Sequence, residues 1–232
     1  MRRGLRRGAG DRARRHVLPV TLLATMLAAG CGRERAGAPD GTAQDTARAV
    51  PQWVFEPGVR FGPLDAAASE SDLVAAYGAA AVRAAEVPLG EGETAPGTEV
   101  FAGDSLRRFL VTWLDTLERR GPDRVELTGD TTLWRSGAGV TLGLPLARLE
   151  EINGGPFTLL GFGWDYGGTV SSWDGGTLAP WEGQAFVSLA PPAAAYGDSA
   201  YRSVLGDRPF PSSAPAMQAL APRVRRIVVR LQ

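Results

Sequence analysis

The chain has no lysine, one histidine and one cysteine, and the last two lie near the N-terminus, at His16 and Cys31. Residues 32–232 therefore cannot supply a Ser-His-Asp or Cys-His nucleophile system. A zinc or copper site of His and Cys is excluded, as are a P-loop and a pyridoxal phosphate Schiff base, which need lysine. The remaining residue types allow a carboxylate-pair glycosidase or an oxygen-ligand calcium site. We expect no cofactor and no metal.

The first thirty residues have the layout of a secretory signal peptide. Seven arginines within residues 1–16 precede an uncharged apolar run at residues 17–30, VLPVTLLATMLAAG, which ends in small residues. As a helix this run would rise about 21 Å, which is too short for a hydrocarbon core of about 30 Å. We therefore predict a cleaved signal peptide over residues 1–30 rather than a membrane span.

Residues 27–31, LAAGC, resemble the lipobox of bacterial lipoproteins, where the cysteine is acylated and the chain is cut before it. The usual leucine three places before the cysteine is Ala28 here, and Leu27 lies one place earlier. The resemblance implies that palmitate and other acyl chains on Cys31 anchor the protein, since one chain alone binds a membrane only marginally. Gly32 in place of Asp implies an outer-membrane position facing the periplasm in a diderm organism. The alternative is an ordinary signal peptide with a chance cysteine.

Cleavage would change the charge of the chain. Residues 1–30 hold seven Arg and one Asp, so 18 of the 25 basic and 24 of the 25 acidic residues remain, a net charge of −6. Without a basic stripe interleaved with aromatics, we expect no nucleic-acid partner. An apolar content of 44% with six tryptophans indicates a folded body rather than a disordered chain.

The composition divides the chain into three parts. Residues 1–30 are the predicted signal peptide, and residues 31–52 comprise the predicted acylated cysteine and a polar, flexible tether. Residues 53–232 form the predicted folded domain. Within it, two regions at about 60–128 and 133–190 resemble one unit used twice, and residues 212–232 add a helical turn and a strand over residues 224–231.

In both regions a short helix precedes strands. The first helix follows Ser69 and ends at Gly78, and the second begins at Pro145 and ends at Asn153 and Gly154. Strands are predicted at 82–89, 99–101 and 109–114, with a loop at 90–97, and then at 157–164, 169–173 and 185–189, with a turn at 165–168. This order predicts an α+β fold, a largely antiparallel sheet with short helices on one face.

Two segments carry a family resemblance: NGGPF at residues 153–157 and GFGWDYGG at residues 161–168, followed by Trp173 and a Gly-Gly pair. They resemble a family of uncharacterised bacterial lipoproteins with an NG-x-PF and GFGWDYGG signature, and the likeness covers most of residues 60–232. No activity comes with this resemblance. The repeated unit also resembles, in architecture, the β-lactamase-inhibitor protein and small outer-membrane assembly lipoproteins, which are binding proteins.

The strongest candidate binding residues lie in and after the GFGWDYGG segment: Trp164, Asp165, Tyr166 and Trp173. Aromatic side chains at a hairpin tip are rigid and have a large contact area, so they are typical binding anchors for a sugar ring or a partner loop. The alternative is that these tryptophans pack in the core, while Asp165 and the glycines only form the turn.

Two charged groups are weaker candidates. Glu91 and Glu93 lie in a glycine-rich loop, where they would bind a cation or act with Asp165 as an acid/base pair. The alternative is a solvated acidic loop, since no calcium-loop pattern is present. Arg223, Arg225, Arg226 and Arg230 would bind an acidic partner, or else solvate and protect an edge strand.

These observations leave two main functional hypotheses, and a third, a purely structural envelope protein, which the sequence does not separate from the first. The first is a non-catalytic binding or assembly lipoprotein of the cell envelope, with an envelope protein or glycan as its partner. The second is a carboxylate-dependent hydrolase acting on envelope polysaccharide, which would need two carboxylates about 5–10 Å apart in a cleft. The lack of His, Lys and Cys after residue 31 favours the first hypothesis.

Overall fold

The computed structural model describes residues 53–232, and the predicted signal peptide, Cys31 and the tether lie outside this part. The described residues form twelve strands and four short α-helices. The strands are β1 Val54–Glu56, β2 Arg60–Phe61, β3 Val82–Gly90, β4 Glu93–Val100, β5 Phe109–Asp115, β6 Arg120–Thr128, β7 Arg135–Ser136, β8 Thr158–Leu160, β9 Val170–Ser172, β10 Ala185–Ala190, β11 Pro209–Pro211 and β12 Arg223–Val229. The helices are α1 Glu70–Tyr77, α2 Leu146–Asn153, α3 Ser199–Ser203 and α4 Pro215–Leu220.

The strands form one large sheet and two small ones. The large sheet has the order β10-β12-β6-β5-β4-β3, and the small sheets have the orders β2-β1-β7 and β11-β8-β9. Among these strands, every paired neighbour is antiparallel except β1 with β7. The predicted α+β class with a largely antiparallel sheet is therefore confirmed. No helix within residues 53–232 is long and apolar enough to span a membrane.

Both predicted helices are present, and α2 begins at Leu146, one residue after the predicted start at Pro145. The backbone N–H of Ser69 donates to Oδ2 of Asp72 at 2.8 Å, which completes the capping interaction before α1. At the C-terminal end of α2, Gly154 adopts the left-handed conformation with φ 79°. Both helices bury leucines: Leu73 in α1, and Leu146 and Leu149 in α2.

The predicted loop at 90–97 is much shorter in the structure. Glu91 and Gly92 have φ of 54° and 81°, and they join β3 and β4 in a tight hairpin. A two-residue turn with both φ values positive suits the twist of paired strands, so pairing continues to Gly90 and Glu93. The glycine content marked a turn correctly, but its length was overestimated.

Two further strand predictions also change. The strand predicted at 157–164 ends at Leu160, and residues 161–169 form the connection to β9. One alternative for the four arginines near the C-terminus was that they protect an edge strand. Their strand, β12, instead lies inside the large sheet between β10 and β6. Its arginines therefore do not protect an exposed edge.

The two faces of the large sheet differ in chemistry. One face packs on the aromatic core, where Phe109 meets Phe61 and Trp134 at ring distances of 5.1 and 5.2 Å. On the other face, the register places Glu99, Leu110, Glu126 and Val228 in one row across four strands. We call this second face the charged face.

The 161–169 connection links the two edges of the large sheet. The β3–β4 hairpin at one edge reaches the 161–169 connection, where the Glu91 N–H donates to Asp165 at 2.9 Å. That connection leads into β9 beside β10, the opposite edge, through the bridge between Thr169 and Ser188. The link lies over the charged face, since Glu126 lines one cavity with Asp165.

Candidate binding cleft

The 161–169 connection holds two aromatic side chains at the surface. Trp164 and Tyr166 are 37% and 38% exposed, and their rings pack edge to face with centroids 5.4 Å apart. The indole N–H of Trp164 donates to the Gly161 carbonyl at 2.9 Å. This bond positions the ring without drawing it into the core. The pair therefore forms an ordered aromatic surface of the type that anchors ligands.

Gly168 attaches this connection to β10. The Leu189 N–H donates to the Gly168 carbonyl at 2.9 Å, and a Cβ on Gly168 would lie 1.9 Å from the Leu189 carbonyl oxygen. With φ of 74° as well, this position suits glycine alone. The last glycine of GFGWDYGG therefore fixes where the aromatic pair stands relative to the sheet.

Asp165 joins two segments that are far apart in sequence. Its Oδ2 accepts the 2.9 Å hydrogen bond from the backbone N–H of Glu91, 74 residues earlier. In this contact Glu91 contributes its backbone, and both residues are exposed. The structure thus brings together two of the residues selected from the sequence, Glu91 and Asp165, as parts of one wall.

The other two selected residues lie elsewhere. Trp173 is 2% exposed and packs against Phe157 and Trp181, with ring centroids 5.3 and 6.3 Å away. Glu93 is exposed and pairs with Gly90 across the hairpin. Trp173 is therefore a core residue in the structure, and Glu93 does not line the cavities described next.

Two neighbouring cavities open beside this wall and share Leu89, Tyr166 and Arg226. The first, the loop cavity, has a volume of about 340 Å³. The second, the arginine cavity, has a volume of about 250 Å³. Together we call them the cleft. The loop cavity is lined by residues 88–92, Glu126, Asp165, Tyr166 and Arg226, and the arginine cavity by Leu89, Arg124, Tyr166, Thr169, Phe186, Arg226, Val228 and Arg230.

The two cavities differ in charge. The loop cavity has three carboxylates, on Glu91, Glu126 and Asp165, and one arginine. The arginine cavity has three arginines and no carboxylate among its lining residues. A net charge of −6 for residues 31–232 makes this concentration of positive charge a local exception.

Glu126 lies at the floor of the cleft and is 6% exposed. Arg226 donates from Nε to its Oε1 at 2.8 Å and from Nη2 to its Oε2 at 3.0 Å. These hydrogen bonds, more than the attraction of the carboxylate charge, raise the pKa of Arg226 above its ordinary value, although burial acts in the opposite direction. Arg226 is thus a fixed cation, held in a forked geometry.

Arg124 reaches the same carboxylate less closely, with Nη2 3.7 Å from Oε2 of Glu126. Its Nη2 donates instead to the Pro88 carbonyl at 2.7 Å. Its Nε is buried and has no hydrogen-bond partner among the described residues. A buried donor without a partner is costly, so a ligand acceptor that reached this N–H would be favoured.

No family model, curated protein or solved structure matches the chain. The resemblance carried by GFGWDYGG therefore stays a prediction, and the cleft has to be interpreted from its own chemistry. Within residues 53–232, no group of three or more His, Cys, Asp or Glu side chains is arranged to hold a metal ion.

Arg124, Glu126 and Phe186 line the cleft but were not among the residues predicted from the sequence. A signal for the first two was present: Arg124 and Glu126 alternate with Val125 and Leu127, so two charges share one face of a strand whose other face is apolar. Their meeting with Arg226 and Arg230 depends on the placement of β12 beside β6, which no local pattern specifies.

Proposed function

We propose that the protein is a membrane-anchored lipoprotein of the cell envelope that acts as a non-catalytic binding module. Its ligand lies in the cleft, between the β3–β4 hairpin and the aromatic pair Trp164 and Tyr166. In a diderm organism the module faces the periplasm from the outer membrane, held by acyl chains on Cys31. The lipobox resemblance supports the anchor, and the cleft supports the binding role.

One observation carries the binding role: the hydrogen bond from the Glu91 N–H to Asp165, 74 residues apart in sequence. It joins two loops over a concave, charged surface and beside two half-exposed aromatic rings. A concave site with a few convergent polar groups and aromatic walls is the usual form of a small-ligand site. A purely structural protein would not need this arrangement.

The carboxylate-dependent hydrolase has weaker support. Glu126 already accepts two hydrogen bonds from Arg226, and Asp165 accepts one from a backbone N–H. A glycosidase pair needs two carboxylates whose oxygens face the substrate, whereas the oxygens of Glu126 are both occupied by Arg226. The cleft carboxylates are therefore better suited to holding structure than to proton transfer.

The binding role can be tested by crosslinking in native envelopes. The wild type is compared with a Trp164→Ala, Tyr166→Ala double variant whose fold is verified by circular dichroism, and bound proteins, glycans and small molecules are identified by mass spectrometry. Tyr196→Ala is the matched control, because Tyr196 is 57% exposed and does not line the cleft. A molecule captured by wild type and control but lost in the double variant supports the proposal. An identical set in all three overturns it.

The anchor needs its own test. Replacement of Cys31 by Ala should abolish labelling by a palmitate analogue and move the protein from the membrane to the soluble fraction. Retention of label and membrane association by the Ala variant would contradict the lipobox interpretation.

A further inference from the structure

The arginine cavity has more positive charge than its own surroundings neutralise. Arg124, Arg226 and Arg230 line it, and Glu126, the carboxylate beneath them, is already engaged by both oxygens with Arg226. Arg124 reaches Glu126 only at 3.7 Å, and Arg230 has no ion pair among the described residues, so two guanidinium charges are only weakly compensated at this site. An anion from solution would balance them.

The sheet register brings the two remaining arginines together. Val229 of β12 pairs with Val125 of β6, so Arg230 and Arg124 are the next neighbours along these two strands. Like charges on adjacent positions of neighbouring strands are destabilising. This arrangement is reasonable where a bound anion separates and neutralises the two groups.

Arg124 gives an independent indication. Its Nε–H is buried without a partner among the described residues, while its Nη2 is fixed by the Pro88 carbonyl. The guanidinium plane is thus held in place with one donor unused. Guanidinium groups recognise carboxylates and phosphates through such donors.

The rest of the cavity is apolar. Leu89, Phe186 and Val228 line it together with Tyr166, and Arg230 lies over the Phe186 ring with its Cζ 5.5 Å from the ring centroid. The volume of about 250 Å³ lies just below the roughly 300–1,000 Å³ of typical ligand pockets. It suits a small molecule and excludes a folded partner.

We infer that the arginine cavity binds a small organic anion, with its carboxylate or phosphate group on Arg124 and Arg230 and its apolar part against Phe186 and Tyr166. This inference rests on the proposed function and specifies the ligand class that the cleft accepts. Arg226 stays paired with Glu126 and contributes to the positive field. The contact is salt-sensitive, because the cavity is open to solvent ions.

Calorimetric titration of the full chain, purified in detergent, tests the inference with four probes. Benzoate and phenyl phosphate carry an anion on an aromatic ring, benzamide is the neutral counterpart of benzoate, and inorganic phosphate lacks the apolar part. We expect saturable binding of at least one aromatic anion, and binding of benzamide at least about tenfold weaker. Which aromatic anion binds more tightly distinguishes a carboxylate from a phosphate ligand. Inorganic phosphate should bind more weakly than phenyl phosphate, since it does not contact Phe186.

The variant for this test is an Arg124→Gln, Arg230→Gln double substitution. It should weaken anion binding about tenfold or more, while Arg225→Gln should leave it unchanged. Arg225 is a matched control on the same strand, with its ion pair to Asp130 outside the cavity. If the double variant does not fold, Arg230→Gln alone replaces it, because Arg230 is exposed and contacts Phe186 only through its guanidinium face.

Three results overturn the inference: no saturable binding of either aromatic anion, equal binding of benzamide, or full affinity in the arginine variant. Such a failure is distinguishable from failure of the proposed function. If envelope capture still depends on Trp164 and Tyr166 while the anions do not bind, the cleft holds an uncharged ligand. If capture does not depend on them, the binding role itself is wrong.

Discussion

Glu99 and Glu126 are both buried in the same row of the charged face, yet their surroundings are used differently. Glu99 accepts hydrogen bonds from two arginines, at 2.5 Å from Arg108 and at 2.9 and 2.5 Å from Arg83. Glu126 accepts hydrogen bonds from one arginine, Arg226, and Arg124 forms only a longer ion pair with it, at 3.7 Å. The Glu99 cluster is thus saturated, whereas the Glu126 cluster keeps unused donors beside a cavity. The Glu99 cluster therefore only stabilises the sheet, whereas the Glu126 cluster can also bind a ligand.

The largest difference between the clusters is expected from removal of one arginine. Arg226→Met removes both hydrogen bonds to the buried Glu126 and leaves only Arg124 at 3.7 Å, so we expect a loss of about 3 kcal/mol in the free energy of unfolding. Arg108→Met leaves Glu99 with Arg83, so we expect about 1 kcal/mol. The two arginine side chains are similarly exposed, at 28% and 34%. Urea unfolding at neutral pH measures both, and equal losses would mean that the clusters do not differ in this way.

A smaller effect concerns the pH dependence of the saturated cluster. Burial raises the pKa of Glu99, but the hydrogen bonds from Arg83 and Arg108 outweigh it, so the pKa lies below the ordinary value of 4.5. A lowered folded-state pKa means that the stability from this carboxylate is present above pH 4.5 and is lost as the pH falls through the folded-state pKa.

Glu99→Gln should therefore cost about 2 kcal/mol at pH 7, and the difference from wild type should shrink as the pH falls from 4.5 through the folded-state pKa. Urea unfolding across a pH series measures this difference. Glu86→Gln is the control, since it makes the same charge change at an exposed position of β3. A constant difference from pH 7 down to strongly acidic conditions would show that Glu99 is not the titrating group.

The smallest effect should be local to the cleft. Asp165→Ala removes the acceptor for the Glu91 N–H, and we expect a loss of about 1 kcal/mol with faster hydrogen exchange at the Glu91 amide. Asp115→Ala is the matched control, because Asp115 accepts backbone N–H groups at the turn between β5 and β6. If exchange at the Glu91 amide were unchanged in Asp165→Ala, the hydrogen bond between Glu91 and Asp165 would not be what holds the two loops together.

The sequence predicted local features well and the cleft only in part. Helix ends at Ser69, Gly78 and Gly154 follow from side-chain and backbone chemistry within a few residues, so they were predictable. The strand after Phe157 was predicted too long because apolar residues continue into a connection that is buried by distant segments. Phe162, for example, is 4% exposed without belonging to a strand.

The site depends on contacts between residues that are distant in sequence. Trp164, Tyr166 and Trp173 were all predicted as binding residues. Trp173 is buried and the other two are exposed, because exposure depends on what packs against each ring. Arg226 reaches Glu126, 100 residues earlier, only because β12 enters the sheet beside β6. A single sequence contains no local signal for that pairing.

The interior position of β12 also has a consequence for how the sheet is assembled. β12 is the last described strand, and it separates β6 from β10, so neither can complete its pairing until residues 223–229 have arrived. During synthesis from the N-terminus, β6 and β10 each hold an open strand edge until then. Open edges of this kind pair readily with other chains. Because β12 completes the cleft and is made after β6 and β10, the unpaired edges of these two strands are exposed to other chains for that interval.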